Sequence, residues 1–478
     1  MADQSANGAA VQNDAGTGQR SRWSGKWAFV LAGAASAVGL GNLWRFPYYA
    51  ARYGGGTFLL FYILLAVTFG TALLIAETAL GRKTGQSVIN AFSSLRKKWK
   101  FLGVLASIAP LFVAGSYIVI SGWVAKYMVA YLTDSAEEIA SDGYFTGFIM
   151  GNYETFLWAG AVLLLAIFVV ALGVNKGIEA INRILMPALI VISLGMAIYA
   201  ATLPGALEGV AYFLVPDFSK FSAAMLLGVI GQMFFSLSLA MGVMITYGSY
   251  CEKSHDLEQS ALSIVVFDVA VALLAGFMII PTAFSALGGA EEVAANAGPS
   301  LMFVIMPMIF NSLGPIGTVL GFAFFLLVCF AAFTSLISLC EVCVSIVSDG
   351  FRLARGTAIV ISGAAIAGLG AFINFGYNDL IWMDPMYALF GIGENGSSQL
   401  LDFFDFITSG LILPIVALFT CIFVGYVIRP DVIIEEVEIS SKFRSETLFV
   451  ITVKYVAPVF LVVILVSYTL STMGIIVI

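Results

Sequence analysis

Charge and histidine are what this chain of 478 residues has least of: 11% of it is charged, and His255 is its single histidine. Each scarcity excludes a class of function. The net charge of -7 leaves no basic footprint for a phosphate backbone, so no nucleic-acid partner is expected. One histidine and five dispersed cysteines (Cys251, Cys329, Cys340, Cys343, Cys421) cannot make a thiolate and imidazole cluster for zinc, and core packing is the expected role of the thiols. Catalysis inside a membrane needs a nucleophile with its base, or two facing carboxylates, and neither pattern occurs; an enzyme is not expected. Residues 1–21 have no hydrophobic periodicity and no apolar core behind a charged start, and read as a disordered cytoplasmic tail rather than a signal peptide.

Apolar residues fill the space that charge leaves. They make up 60% of the chain, mean hydropathy is +0.99, and long apolar runs recur from end to end, the composition of an all-α polytopic membrane protein. Apolar length set against charged or Gly/Pro breaks gives eleven spans, near 27–50, 55–81, 101–132, 153–173, 178–200, 223–249, 259–287, 313–348, 356–376, 401–428 and 446–477. The cations gather on alternate sides of these spans: Arg20, Arg22 and Lys26 before the first, Arg82 to Lys100 after the second, Lys176 and Arg183 after the fourth, Lys253 after the sixth, Arg352 and Arg355 after the eighth, and Arg429, Lys442 and Arg444 after the tenth. The loop 133–153 instead carries Asp134, Glu137, Glu138 and Asp142 with no base. Cytoplasmic loops keep cations, so the amino terminus is expected inside and the carboxyl terminus outside.

Two spans are interrupted at mid-depth. The first is broken by Val38-Gly39-Leu40-Gly41-Asn42, and the sixth carries Ser236-Leu237-Ser238 and then Ala240-Met241-Gly242 at its centre. Unwound backbone at this depth survives only where it is buried in protein or lines a wet cavity. Freed carbonyls there can hold a cation, and the amide end of the next half-helix can hold a carboxylate. Breaks at matching places in two halves point to an inverted repeat: residues 22–200 as the first five-helix unit, 201–430 as the second, and 431–478 as an eleventh helix outside the repeat. The competing interpretation is that these small residues only let helices pack closely.

The residues that make the breaks also carry a resemblance. Ala37-Val-Gly-Leu-Gly-Asn42-Leu-Trp44-Arg45-Phe-Pro47, followed by Gly54-Gly55-Gly56, resembles the first-helix signature of the neurotransmitter:sodium symporter family. Matches continue in order through Glu77 to Arg82, Phe234 to Ser238, Ile245 to Tyr250, Phe333 to Ser335 and Asp402 to Asp405, covering almost the whole chain after residue 20. The resemblance implies a prokaryotic amino acid transporter of the cell membrane, similar to the bacterial leucine and tryptophan transporters and driven by two sodium ions. By that resemblance the first sodium would meet Ala37, Asn42, Ser236 and Asp268, and the second Ala35, Val38, Ala331, Thr334 and Ser335. Substrate would lie among Ala37, Gly39, Leu40, Gly41, Val113, Tyr117, Phe234, Phe235, Ser236, Ser238, Met241, Ser335 and Leu339. Arg45 with Asp405 would close the external side, and Arg20 with Asp349, steadied by Trp23, the cytoplasmic side.

Asp268 departs from the animal members, which by resemblance carry Asn there and need chloride nearby. An intramembrane carboxylate is costly and functional by default, so Asp268 is expected to replace chloride beside Tyr62 and Gln232, with no chloride requirement. Monoamine carriers of the family have Asp at the position of Gly39; glycine there implies a substrate that brings its own carboxylate, an apolar or aromatic L-amino acid. Two alternatives stay open: a proton-coupled symporter of the same architecture, because Asp268 and Glu341 could titrate, and a channel. The oligomeric state is left open too.

Overall fold

The computed structural model describes residues 22–151, 153–295, 299–377 and 400–472. The expected tail 1–21, Arg20 included, lies outside the described residues. Nine helices among those described are long and apolar enough to cross a membrane: Gly56–Thr84, Lys97–Thr133, Glu154–Ala171, Val174–Ala201, Leu257–Leu287, Pro315–Phe351, Arg355–Phe375, Leu400–Val427 and Glu446–Ser467. The first expected span is a bent pair, Lys26–Ala37 and Gly41–Arg52, with 53° between its halves. The sixth is two short helices, Ala223–Ser236 and Val243–Gly248, separated by an irregular turn. We number the spans in this order, from the bent pair as the first.

Each helix starts and stops for local reasons. Ser222 caps the sixth span by accepting from the Met225 amide at 3.1 Å, and Asp256 caps the seventh through the Gln259 amide at 2.9 Å. Gly85 closes the second span in the left-handed conformation (φ 61°) and Gly288 closes the seventh (φ 82°). Several spans contain π-helical turns, among them Val174–Glu179 in the fifth and both Phe406–Ile412 and Phe423–Val427 in the tenth.

The third and eighth spans form the scaffold, packing on each other along most of their length. The eighth, at 37 residues, is about 55 Å long and must tilt in, or project beyond, a hydrocarbon layer of about 30 Å. The broken helices lie between this scaffold and the second and seventh spans. Large apolar side chains point outward on the fourth and fifth spans, including Leu157, Leu164, Phe168, Ile184 and Val191, as a lipid-facing surface requires.

Glycines set the closest approaches. A Cβ on Gly81 of the second span would stand 1.9 Å from the Ile245 carbonyl of the sixth, and one on Gly248 would stand 2.3 Å from the Thr78 carbonyl. The second span thus touches the inner half of the sixth backbone to backbone. Gly81→Ala cannot be absorbed by a flexible side chain, and is expected to lower stability by about 1–3 kcal/mol or more; thermal unfolding in detergent measures the shift.

Candidate functional site

The first break begins where the Val38 amide bonds the Ala34 carbonyl at 2.7 Å and Val38 itself turns extended (φ -74°, ψ 103°). The carbonyls left over converge on the eighth span. Ser335 Oγ lies 3.3 Å from the Ala35 carbonyl, 3.2 Å from that of Ser36 and 3.3 Å from that of Val38. One hydroxyl has one proton and cannot satisfy three carbonyls. Thr334 Oγ1 donates back to the Phe330 and Ala331 carbonyls at 3.0 and 3.1 Å, one turn earlier on the same helix. Ala35, Val38 and Ser335 are therefore brought together, with Thr334 and Ala331 beside them in the chain. The donors are neutral and hard, the chemistry of a site for an alkali cation rather than a transition metal.

Past the break the polarity reverses. The Gly39 amide donates to Asn42 Oδ1 at 3.0 Å and the Leu40 amide to the Tyr117 hydroxyl at 3.0 Å, leaving the Tyr117 proton for another acceptor. A Cβ on Gly39 would sit 2.4 Å from the Tyr117 hydroxyl and 2.7 Å from Ser335 Oγ, so a side chain there would require Tyr117 and Ser335 to move.

A second polar cluster surrounds Asp268, which is fully buried. Its Oδ1 accepts from Asn42 Nδ2 at 2.8 Å and from Ser236 Oγ at 2.6 Å, and its Oδ2 accepts from Tyr62 at 2.7 Å. One carboxylate thus ties together the first, second and sixth spans. Gln232 Nε2 donates to the Gly41 carbonyl at 2.9 Å, while its Oε1 is buried without a partner.

The sixth-span break is a left-handed turn. Ser238 (φ 51°), Ala240 (φ 61°) and Gly242 (φ 73°) take conformations that cost a non-glycine residue about 1–2 kcal/mol. The Ala240 amide is held by Glu77 Oε1 of the second span at 2.7 Å, and Glu77 is itself buried. Ser238 Oγ donates to the Ser36 carbonyl at 3.0 Å, and Ser36 Oγ lies 3.2 Å from Ser238 Oγ, so the two breaks face each other.

Between them is a tight cavity of about 20 Å³, lined by Ser36, Ala37, Gly39, Gly41, Val113, Tyr117, Phe235, Ser236, Ser238, Met241, Ser335 and Leu339. Two of the expected substrate residues lie elsewhere. Leu40 lines the space above, and Phe234 turns edge-on to Phe69, with ring centroids 5.7 Å apart. Above the cavity opens a vestibule of about 260 Å³, sharing Val113, Tyr117 and Phe235 with it and also lined by Arg45 and Asp405. The Arg45 guanidinium stands over the Phe235 ring at 5.0 Å, and Asp405 accepts from Ser409 at 2.8 Å.

The opposite end is packed shut. Trp23 is buried, donates from Nε1 to the Tyr247 carbonyl at 3.0 Å and meets the Tyr247 and Tyr250 rings edge-on. Asp349 accepts from the Ser87 amide at 2.8 Å; Arg20, its expected partner, lies outside the described residues. Glu341, fully buried, takes two bonds from Arg355 (3.0 and 2.6 Å) and one from Tyr250 (2.7 Å).

Sequence reasoning missed Ser36 and the roles of Glu77 and Arg355. Ser36 looked like another small residue of a helix, and a glutamate and an arginine that sequence places far from their partners give no signal of pairing.

Two broken helices that face each other across a cavity, with surplus carbonyls of the first turned toward the eighth span, match a known family. A sequence profile described as the sodium:neurotransmitter symporter family matches residues 20–139 and 150–475. The chain belongs to that family. Its members are transporters, not enzymes. Among similar proteins, an uncharacterised sodium-dependent transporter of Haemophilus influenzae is 32% identical over 466 residues, covering 94% of this chain and 98% of that protein. The uncharacterised sodium-dependent transporter YhdH of Bacillus subtilis is 33% identical over 427 residues, covering 88% and 91%. The crystal structure of MhsT in complex with L-phenylalanine superposes with a TM-score of 0.82 at 33% identity, covering 94% of this chain and all of that one.

Proposed function

We propose that this family member is a symporter that imports an apolar or aromatic L-amino acid with two sodium ions, without chloride, by alternating access across a prokaryotic cell membrane, its amino terminus inside. The observation that carries this reading is the pairing of opposite polarities at one break: surplus carbonyls at Ala35, Ser36 and Val38, then the Tyr117 hydroxyl, which accepts from the Leu40 amide and keeps its own proton to donate. A carboxylate suits that donor. The absence of a side-chain carboxylate at Gly39 supports a ligand that supplies this charge itself, and the apolar walls Val113, Phe235, Met241 and Leu339 suit an apolar side chain. MhsT, solved with L-phenylalanine, is a relative for which such a ligand is on record.

The first sodium would use Ala37, Asn42, Ser236 and Asp268, and the second Ala35, Val38, Ala331, Thr334 and Ser335. Asp268 supplies the fixed negative charge that a cation beside a carboxylate otherwise takes from chloride. Arg45 and Asp405, on the walls of the external vestibule, would close over bound substrate, while Arg20, Asp349 and Trp23 seal the cytoplasmic side. Each sodium entering down 100 mV releases about 2.3 kcal/mol, and a tenfold gradient adds about 1.4 kcal/mol. Two ions then support a substrate gradient on the order of 10⁵. For a zwitterion the cycle moves net positive charge.

Proteoliposomes with sodium and proton gradients imposed separately test the coupling. Uptake of labelled phenylalanine, tryptophan or leucine is expected with sodium alone, and uptake driven only by protons would favour the proton-coupled reading. Asp268→Asn is expected to abolish uptake or to make it depend on chloride, whereas unchanged chloride-free uptake would refute the built-in anion. Ser335→Ala is expected to raise the sodium concentration for half-maximal binding about tenfold, as loss of one ion-binding oxygen implies; titration of sodium against substrate binding measures it.

A further inference from the structure

The chain enters the first span through an extended segment, in which Gly25 has φ 173° and ψ 177°. Three attachments hold this strap. Trp23 docks on the end of the sixth span, as described. Arg22 meets Glu252 at 3.5 Å, but both side chains are well exposed (67% and 43%), and such pairs contribute little. The third attachment runs to the fifth span and is of a different kind.

It centres on Glu179, whose side chain is 5% exposed. Glu179 Oε1 accepts from Ser24 Oγ, and Oε2 from the Ser24 amide at 3.3 Å. Asn175 Nδ2 donates to the Arg22 carbonyl at 3.0 Å and to Glu179 Oε2 at 3.4 Å, and Arg183 braces Oε1 at 2.7 Å. Both ends of this clamp, Asn175 and Glu179, belong to the π-helical turn Val174–Glu179. A turn of that width is less regularly bonded than an α-helix and is a natural place for a helix to rearrange. Gly177 keeps the turn pressed on the chain before it, since a Cβ there would stand 2.0 Å from the Val169 carbonyl.

We propose that Glu179 is a positioning residue of the transport cycle: a latch that fastens the entering strap to the wide turn of the fifth span, and whose release lets the inner half of the first span swing away and open the cavity to the cytoplasm. The inference rests on the transport reading above. The mechanical link is direct. The inner half Lys26–Ala37 carries the Ala35 and Ser36 carbonyls that Ser335 holds, so freeing its amino-terminal end loosens the same oxygens that would bind the ion. A carboxylate suits a latch because charged acceptors bond roughly twice as strongly as neutral ones. The Ser24 donors sit on the strap and the Glu179 acceptor on the wide turn of the fifth span, so breaking these bonds separates the two.

Hydrogen–deuterium exchange on the full chain in lipid nanodiscs, in sodium chloride and in potassium chloride, reads the latch without substrate. The wild type is expected to protect residues 22–37 in sodium. Glu179→Ala is expected to raise exchange there about tenfold and Glu179→Gln by less, with the seventh span unchanged. In parallel, the sodium needed for half-maximal binding should rise while binding capacity stays the same, a split that a merely structural role would not produce. Exchange and sodium dependence indistinguishable from wild type in Glu179→Ala would overturn the latch. Should that variant fail to assemble, Asn175→Ala removes only the Arg22 tie and one of the carboxylate's donors. It is expected to shift exchange the same way by about threefold, and no shift would count equally against the proposal. A wild type whose exchange ignores sodium would count against the transport reading instead, and the comparison of variants would still decide the latch.

Discussion

Everything in this structure turns on the cost of leaving peptide groups unpaired inside a membrane. An ordinary spanning helix avoids it by bonding to itself, and two spans here give up that arrangement at their midpoints. Their released groups are answered by side chains from other helices: Ser335 for the carbonyls, Tyr117 and Asn42 for the amides of the first break, and Glu77 for the strained turn of the second. These partners hold the breaks open without filling them. A hydroxyl shared among three carbonyls and a phenol that accepts but still has its proton are satisfied enough to fold and unsatisfied enough to bind.

The same economy places Asp268. Three donors from three spans meet Asp268 in the fully buried interior, so its charge is embedded in the joint between helices. Anything that changes the charge beside it is felt at once by the first, second and sixth spans.

The two ends of the cavity differ in construction. At the end that bears Arg45 the walls are aromatic and charged groups around open space, with Arg45 over Phe235. At the opposite end Trp23, Tyr250 and the buried Glu341 pack together with the half-buried Arg355, and Glu179 holds the strap that carries Trp23. Glu341 is fully buried, so leaving it without Arg355 is expensive.

The sequence by itself determined the class, the approximate span boundaries and the position of both breaks. Apolar length, cation placement and glycine content are local properties, and the bilayer reads them one segment at a time. It also pointed to Asp268, because a carboxylate among valines and alanines has no bland explanation in lipid. Only the tertiary structure decided which groups meet across the chain: Ser36 with Ser238, 202 residues apart, Glu77 with Ala240, 163 apart, and Ser24 with Glu179, 155 apart. It also decided that Phe234, one residue before a cavity-lining phenylalanine, turns its ring away toward Phe69. Such pairings depend on how far each span is rotated and raised against its neighbours. That is fixed by backbone contacts such as Gly81 against Ile245, and no stretch of sequence read alone contains them.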